Sequence, residues 1–183
     1  MSYNYVIFTD LPSTENFTRG YGAYRTASEL RSQGYSCLVI DFLSAINLEQ
    51  FKTIVDSIIS EDTLAVGFST TWFPYRIRYR NERFIVGPRS VKGNASADYD
   101  HEQWYKDSVV YQFVRGDIDK VIQIIKNKNS KCKITVGGRK SHEYIRDKII
   151  DHVFVGYSET QLVDYMNSLS GRSKKRIFNK IIE

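Results

Sequence analysis

The chain alternates short apolar runs with amphipathic stretches. Tyr5 to Thr9 (YVIFT) reads as a first strand. In YGAYRTASELRSQG, the residues Ala23, Ala27 and Leu30 form an apolar stripe at helical spacing, and Gly34 suits the left-handed position after a helix end. SCLVIDF reads as a second strand. Asn47 can cap a helix over LEQFKTIVDSIIS, which turns Phe51, Ile54, Val55 and Ile58 to one side. TLAVGFS, KITVGG and HVFVG read as the third, fourth and fifth strands. DIDKVIQIIKNK precedes the fourth strand as a helix, with acids at its start and lysines at its end, the polarity its dipole favours. SHEYIRDKI and SETQLVDYMNSL complete the helices.

The strand runs are apolar and continuous rather than alternating, as in strands covered on both faces. Strand then helix, repeated five times, predicts a parallel sheet with right-handed crossovers. The fold class expected is therefore α/β: a doubly wound, flavodoxin-like five-stranded parallel sheet of order 2-1-3-4-5. One excursion, about residues 73–115, interrupts the alternation after the third strand. Within it YRIRYR and RFIVGPR flank Asn81-Glu82 as a hairpin, and DHEQWYKDSVVYQFV reads as a short helix. The expected organisation is one domain over 1–170 and a basic linker or tail over 171–183, GRSKKRIFNKIIE with its initial glycine, whose end is apolar enough for a strand.

Composition narrows the class. At 183 residues the chain fits one domain, and 42% hydrophobic with 26% charged residues is globular rather than disordered. No apolar run approaches the ~20 residues of a membrane span. Met1-Ser2-Tyr3-Asn4 lacks the basic region and apolar core of a signal peptide, so a cytoplasmic protein without a membrane partner is expected. Cys37 and Cys132 lie in strand-like runs without metal spacing, and they read as reduced, buried thiols. No three closely spaced cysteines are present to hold an iron–sulfur centre. The net charge of +5 is mild and only tilts the expectation towards an anionic partner.

Chemistry enters at the strand ends, outside which open parallel sheets bind ligands. The first strand leads through TDLPSTENFTRGYG to Gly22. The second ends at Asp41-Phe42-Leu43-Ser44, and the third in the hydroxyl row Ser69, Thr70 and Thr71. The fourth ends in Gly137-Gly138-Arg139, and the fifth in Gly156, Tyr157, Ser158 and Glu159. Glycines admit a ligand close to the backbone, short hydroxyls donate and accept without bulk, and helix N-termini offer free amides. Each feature alone is ordinary: a glycine pair turns a chain, and Ser158-Glu159 caps a helix. Their coincidence at five neighbouring strand ends predicts a ligand site. Catalytic groups are sparse. His101, His142 and His152 sit in unrelated places, DYDHE reads as a solvated acidic loop rather than a metal site, and no serine or cysteine has a partnering base in sequence. The domain reads as a binder with no catalytic residue and no metal ligand of its own.

The ordered series GAYRTASELRSQGYSCLVIDFLSAINLEQF, LAVGFSTTWF, ITVGGRKS and DHVFVGYSETQLVDYM resembles the N-terminal cobalamin-binding-type domain of radical S-adenosylmethionine proteins. That family shows a GxxR-type first helix, a phrase like GYEVEVIDF, a GxST third-strand end, a GG fourth-strand end and a GEGE-like fifth-strand end. The resemblance implies a corrinoid across the carboxyl edge of the sheet, with cobalamin as cofactor. It also implies that Gly22, Asp41, Leu43, Ser69, Thr70, Thr71, Gly137, Gly138, Gly156, Tyr157, Ser158 and Glu159 line its site. In the DxHxxG motif of domains that replace the lower cobalt ligand, the histidine position is Leu43 here and the glycine position is Ile46, so cobalamin would bind without a histidine lower ligand. Tyr157 stands where the fifth-strand motif has its first acid. The family's CxxxCxxC site has no counterpart in this sequence. The iron–sulfur cluster and S-adenosylmethionine would therefore belong to a radical S-adenosylmethionine catalytic domain supplied in cis or in trans, and this chain would be a cofactor-binding or docking module. Of the two, the front domain of a longer polypeptide is preferred to a short accessory protein.

Two other readings compete. In the excursion, Arg76, Arg78, Arg80, Arg83 and Arg89 interleave with Tyr75, Tyr79 and Phe84, a combination that can hold backbone phosphate and stack bases. That reading makes the chain a nucleic-acid-binding module. A flavin site at TDLPSTEN ranks lower, because the stretch lacks the glycine that tight phosphate wrapping prefers.

Overall fold

In the computed structural model of the protein the described residues are 2–10, 21–70, 109, 118–138, 141–156 and 159–173. The excursion apart from Val109, and the tail from residue 174, lie outside them, and so do the expectations of a hairpin and a short helix there.

Five strands, β1 (Tyr5–Phe8), β2 (Cys37–Ile40), β3 (Ala65–Ser69), β4 (Lys133–Gly137) and β5 (His152–Val153), form one parallel sheet in the order β2-β1-β3-β4-β5. Four helices flank it: α1 (Tyr21–Ser32), α2 (Leu48–Ile58), α3 (Ile118–Lys128) and α4 (Glu159–Leu169). This is the α/β, flavodoxin-like arrangement that the alternation of patterns predicts.

Strand alternation divides the core between the two faces. Tyr5, Ile7, Cys37 and Ala65 meet Ala23, Ala27 and Leu30 of α1 and Leu162, Tyr165 and Met166 of α4. Val6, Phe8, Val66, Phe68, Ile134 and Val136 meet Phe51 and Val55 of α2 and Val121, Ile122 and Ile125 of α3. Phe8 anchors the second face, with its ring 4.9 Å from Phe51 and 5.5 Å from Phe68. The helix ends follow their sequence signals. Asn47 and Gln50 form a reciprocal capping box on α2, and Gly34 takes a φ of 80° after α1.

Two elements are shorter than their patterns suggest. SHEYIRDKI forms only a 3₁₀ turn, Ser141–Tyr144, followed by further turns. Its fully buried Tyr144 and the Ile150 that follows it stand about 240° apart on a helical wheel, too far for one helical face, and both reach the core on the α2/α3 side. The fifth strand stops at Val153. Phe154 still donates its N–H to the Val136 carbonyl at 2.8 Å, but Val155 is exposed and Gly156 turns the chain with a φ of 80°.

Asp151 ties the β5 edge to β4. It accepts the Ile134 N–H at 2.8 Å and pairs with Lys133 at 3.0 Å and Lys126 at 3.4 Å. Burial alone would raise its pKa; the Ile134 amide and the two lysines outweigh that and hold it below the usual carboxylate range. A depressed folded-state pKa contributes stability that is present above the unfolded value, about 3.9, and is lost as pH falls through the lower folded value. Asp151→Asn is expected to lower stability by about 2 kcal/mol at neutral pH. It should also flatten the loss of stability below about pH 4. Urea midpoints at pH 7 and pH 3 measure both, and a variant as acid-sensitive as the parent would refute the assignment.

Cys37 and Cys132 are free and buried, and burial pushes both thiols up to about 12, so neither is a nucleophile at neutral pH. Among the described residues no helix is long and apolar enough to cross a membrane.

Candidate functional site

The carboxyl ends of β1, β3, β4 and β5 open onto one cavity of about 640 Å³, roofed by α1 and α4. Of the residues singled out in the sequence, Gly22, Ser69, Gly137, Gly138, Gly156 and Glu159 line it. Gly138 and Gly156 have φ values of 101° and 80°, a region that L side chains rarely adopt. Gly22 differs from both. It sits exposed in the first turn of α1, and a Cβ built there would meet no atom within 4 Å. Neither backbone conformation nor packing requires a glycine at that point. What the missing side chain leaves is room on the cavity wall.

The floor is built by Tyr5 and Gly67. The Tyr5 ring lies over Gly67, and its hydroxyl shares a 2.7 Å hydrogen bond with Thr135 Oγ1. Thr135 Oγ1 in turn lies 3.2 Å from the Val66 carbonyl, to which it donates. Burial raises the Tyr5 phenol well above its usual pKa, so the group stays neutral. At the mouth, Arg25 of α1 reaches Glu159 of α4 at 3.2 Å. The two side chains are 57% and 20% exposed, so the pair contributes little to stability. Both line the cavity, and pairing leaves its charge balanced. The remaining wall is mostly apolar or glycine backbone, with Ile7, Ala23, Phe154 and Leu162 prominent and Thr26 and Ser69 adding hydroxyls.

The hydroxyl row divides. Ser69 faces the cavity. Thr70 is fully buried and bonds the Gly137 carbonyl twice, through its N–H at 2.7 Å and its Oγ1 at 2.9 Å. Its hydroxyl therefore fastens β3 to β4 instead of lining the cavity. Leu43 is fully buried in the core of the opposite face with Phe51, away from the cavity. Asp41 stands at the end of β2, also outside the lining, with Oδ1 accepting the Phe42 N–H at 2.8 Å. Thr71, Tyr157 and Ser158 lie outside the described residues, as do Arg76, Arg78, Tyr79, Arg80 and Arg83 of the nucleic-acid reading. Among the described residues no group of three or more His, Cys, Asp or Glu side chains could hold a metal ion.

Sequence reasoning missed Tyr5, Gly67 and Arg25. Gly67 carried a usable signal, since a glycine inside a strand marks a close approach. Tyr5 looked like an ordinary core aromatic. Arg25 did carry a signal, since Gly22-Ala23-Tyr24-Arg25 is the GxxR of the first helix, but it was not singled out as a site residue.

No protein-family model matches the sequence, and no curated protein does. Among solved structures the chain is similar to TsrM, a radical S-adenosylmethionine methyltransferase from Kitasatospora setae, solved with cobalamin and a [4Fe-4S] cluster bound. The TM-score is 0.52 over 94% of this chain, at 14% sequence identity. The chain spans 27% of the length of that enzyme. At such low identity the likeness bears on the fold alone, the five-stranded parallel α/β sheet.

Proposed function

We propose that this chain is a cobalamin-binding domain that holds a corrinoid by its tail and serves a radical S-adenosylmethionine catalytic unit, in cis or in trans. The observation that carries the reading is the cavity at the carboxyl edge with five glycines in its wall, where Gly22 leaves room that nothing among the described residues fills. A long flexible tail suits such a cavity: largely apolar, balanced in charge, and open to the backbone at its glycines. Gly137, Gly138 and Gly156 would border the tail by backbone, and Ser69 would offer it a hydroxyl. A bound corrinoid supplies a cobalt centre for alkyl transfer; the chain's own residues bind and orient it. The cobalt would receive no histidine from the second-strand loop, because Leu43 at that position is packed into the core. Support for the catalytic partner comes from the neighbour, a single enzyme with both cobalamin and a [4Fe-4S] cluster bound, to 27% of which this chain corresponds.

The test is direct. Purified protein is mixed with hydroxocobalamin, desalted, and its visible spectrum recorded. The corrinoid is expected to travel with the protein in equimolar amount. The melting temperature should rise with corrinoid concentration, by an amount equivalent to about 2.7 kcal/mol at a hundredfold excess over Kd. Corrinoid recovered wholly in the small-molecule fraction, with an unchanged melting curve, would overturn the proposal.

A further inference from the structure

Two buried polar atoms at the carboxyl edge have no hydrogen-bond partner among the described residues: Thr9 Oγ1 and Asp41 Oδ2. Buried polar groups are nearly always satisfied, so such atoms call for an explanation. Thr9 is only 1% exposed. Its backbone is fully engaged, with the N–H on the Ile40 carbonyl at 2.9 Å and the carbonyl accepting the Leu43 N–H at 3.3 Å.

The two residues are neighbours by register. Phe8 pairs with Ile40 across β1 and β2, and with Phe68 across β1 and β3. One step further, Thr9 stands between Asp41 and Ser69, and Ser69 pairs with Gly137. Asp41, Thr9, Ser69 and Gly137 thus form a row across four strands. Alternation places Thr9 on the same face as Tyr5 and Ile7, which is the cavity face. Ser69 and Gly137 line the cavity, and Thr9 and Asp41 continue the same row towards β2, just outside its lining.

The Asp41 carboxylate is also oriented. Phe42 is the one non-glycine described residue with positive φ, at φ 62° and ψ 41°. Beside it, the Phe42 N–H meets Asp41 Oδ1 at 2.8 Å, and Oδ2 is unengaged. A left-handed aromatic residue is strained, and such strain persists where the surroundings over-determine it, often at binding sites.

We propose that Thr9 and Asp41 form a recognition pair for a neutral ligand group that both donates and accepts, a primary amide or a hydroxyl. The group's N–H or O–H meets Asp41 Oδ2, and its oxygen accepts from the Thr9 hydroxyl. For the identity of the ligand this rests on the cobalamin reading. A corrinoid carries primary amides on its ring side arms and a ribose hydroxyl in its nucleotide tail.

The experiment titrates hydroxocobalamin, dicyanocobinamide (which lacks the nucleotide tail) and adenosine against the wild type, Thr9→Val and Asp41→Asn, with melting curves for each free protein. Thr9→Val removes an unsatisfied hydroxyl at constant shape, so its melting temperature is expected to rise by about 2–4 °C. The same variant should bind hydroxocobalamin about tenfold more weakly, as should Asp41→Asn. A merely structural threonine would not move stability and binding in opposite directions. If the weakening persists with dicyanocobinamide, the recognised group is a side-arm amide; if it vanishes there, the group is the ribose hydroxyl. Binding of hydroxocobalamin by Thr9→Val at wild-type strength, or a lowered melting temperature, overturns the pair and leaves the cofactor reading standing. Wild type that binds adenosine but neither corrinoid, with Thr9→Val weakening it, keeps the pair and removes the corrinoid. Wild type that binds none of the three overturns both.

Discussion

Gly67→Ala is expected to destabilise the protein by about 3 kcal/mol, far beyond the effect of an ordinary added methyl group. The new Cβ would lie 2.8 Å from Tyr5 Cζ, closer still to its hydroxyl, and 3.1 Å from Thr135 Oγ1. Tyr5 can yield only towards the cavity, by giving up its packing and its hydrogen bond. It is buried under α1 and α4, and its hydroxyl is held at 2.7 Å by Thr135. Overpacking a rigid site costs about 1–3 kcal/mol, and displacing the buried hydrogen bond adds about 1 kcal/mol. Tyr5→Ala removes the obstacle while losing its own packing, so Tyr5→Ala/Gly67→Ala should be less destabilised than the sum of the single variants by about 2 kcal/mol. Urea denaturation of the four proteins gives the coupling. Additive single effects would mean that the ring does not rest on Gly67, and the cavity floor described above would be wrong.

That pair also shows where sequence reading stops. The helices α1 and α2 were legible because their stripes are local: Ala23, Ala27 and Leu30 on one, Phe51 and Val55 on the other, with Gly34 and Asn47 at the ends. The sheet order followed from repeated strand–helix units and from strands too apolar to face water. The cavity floor was not legible, because the meeting of Tyr5 with Gly67 depends on strand register, Tyr5 opposite Ala65, which no local pattern encodes. The hydroxyl row was half legible. Ser69 and Thr70 alternate faces, and only coordinates show that Thr70 uses its hydroxyl on the Gly137 carbonyl. SHEYIRDKI has helical composition, but Tyr144 within it and Ile150 just after it do not share a helical face, and the tertiary demand to seat both prevails over propensity there. The orphan atoms of Thr9 and Asp41 could not be read at all, since an unsatisfied group is defined by its surroundings.

Gly22→Leu separates a glycine kept for the fold from one kept for a ligand. In an α-helix glycine is less favourable than leucine by up to about 1 kcal/mol, and by about half that in a first turn. A Cβ at position 22 meets no atom within 4 Å, and the positive-φ constraint that disfavours side chains at Gly138 and Gly156 does not operate there. The free variant should therefore melt about 1–2 °C higher than the wild type. The same side chain projects into the cavity and takes the volume a corrinoid tail needs, so hydroxocobalamin binding should weaken about a hundredfold. Stability rises and binding falls because the residue contributes nothing to the protein that a larger one would not do better, except space. A variant that melts several degrees lower would show that the fold itself requires Gly22. A variant that binds hydroxocobalamin as tightly as the wild type would place the ligand elsewhere, and the glycine wall would lose its meaning as a slot.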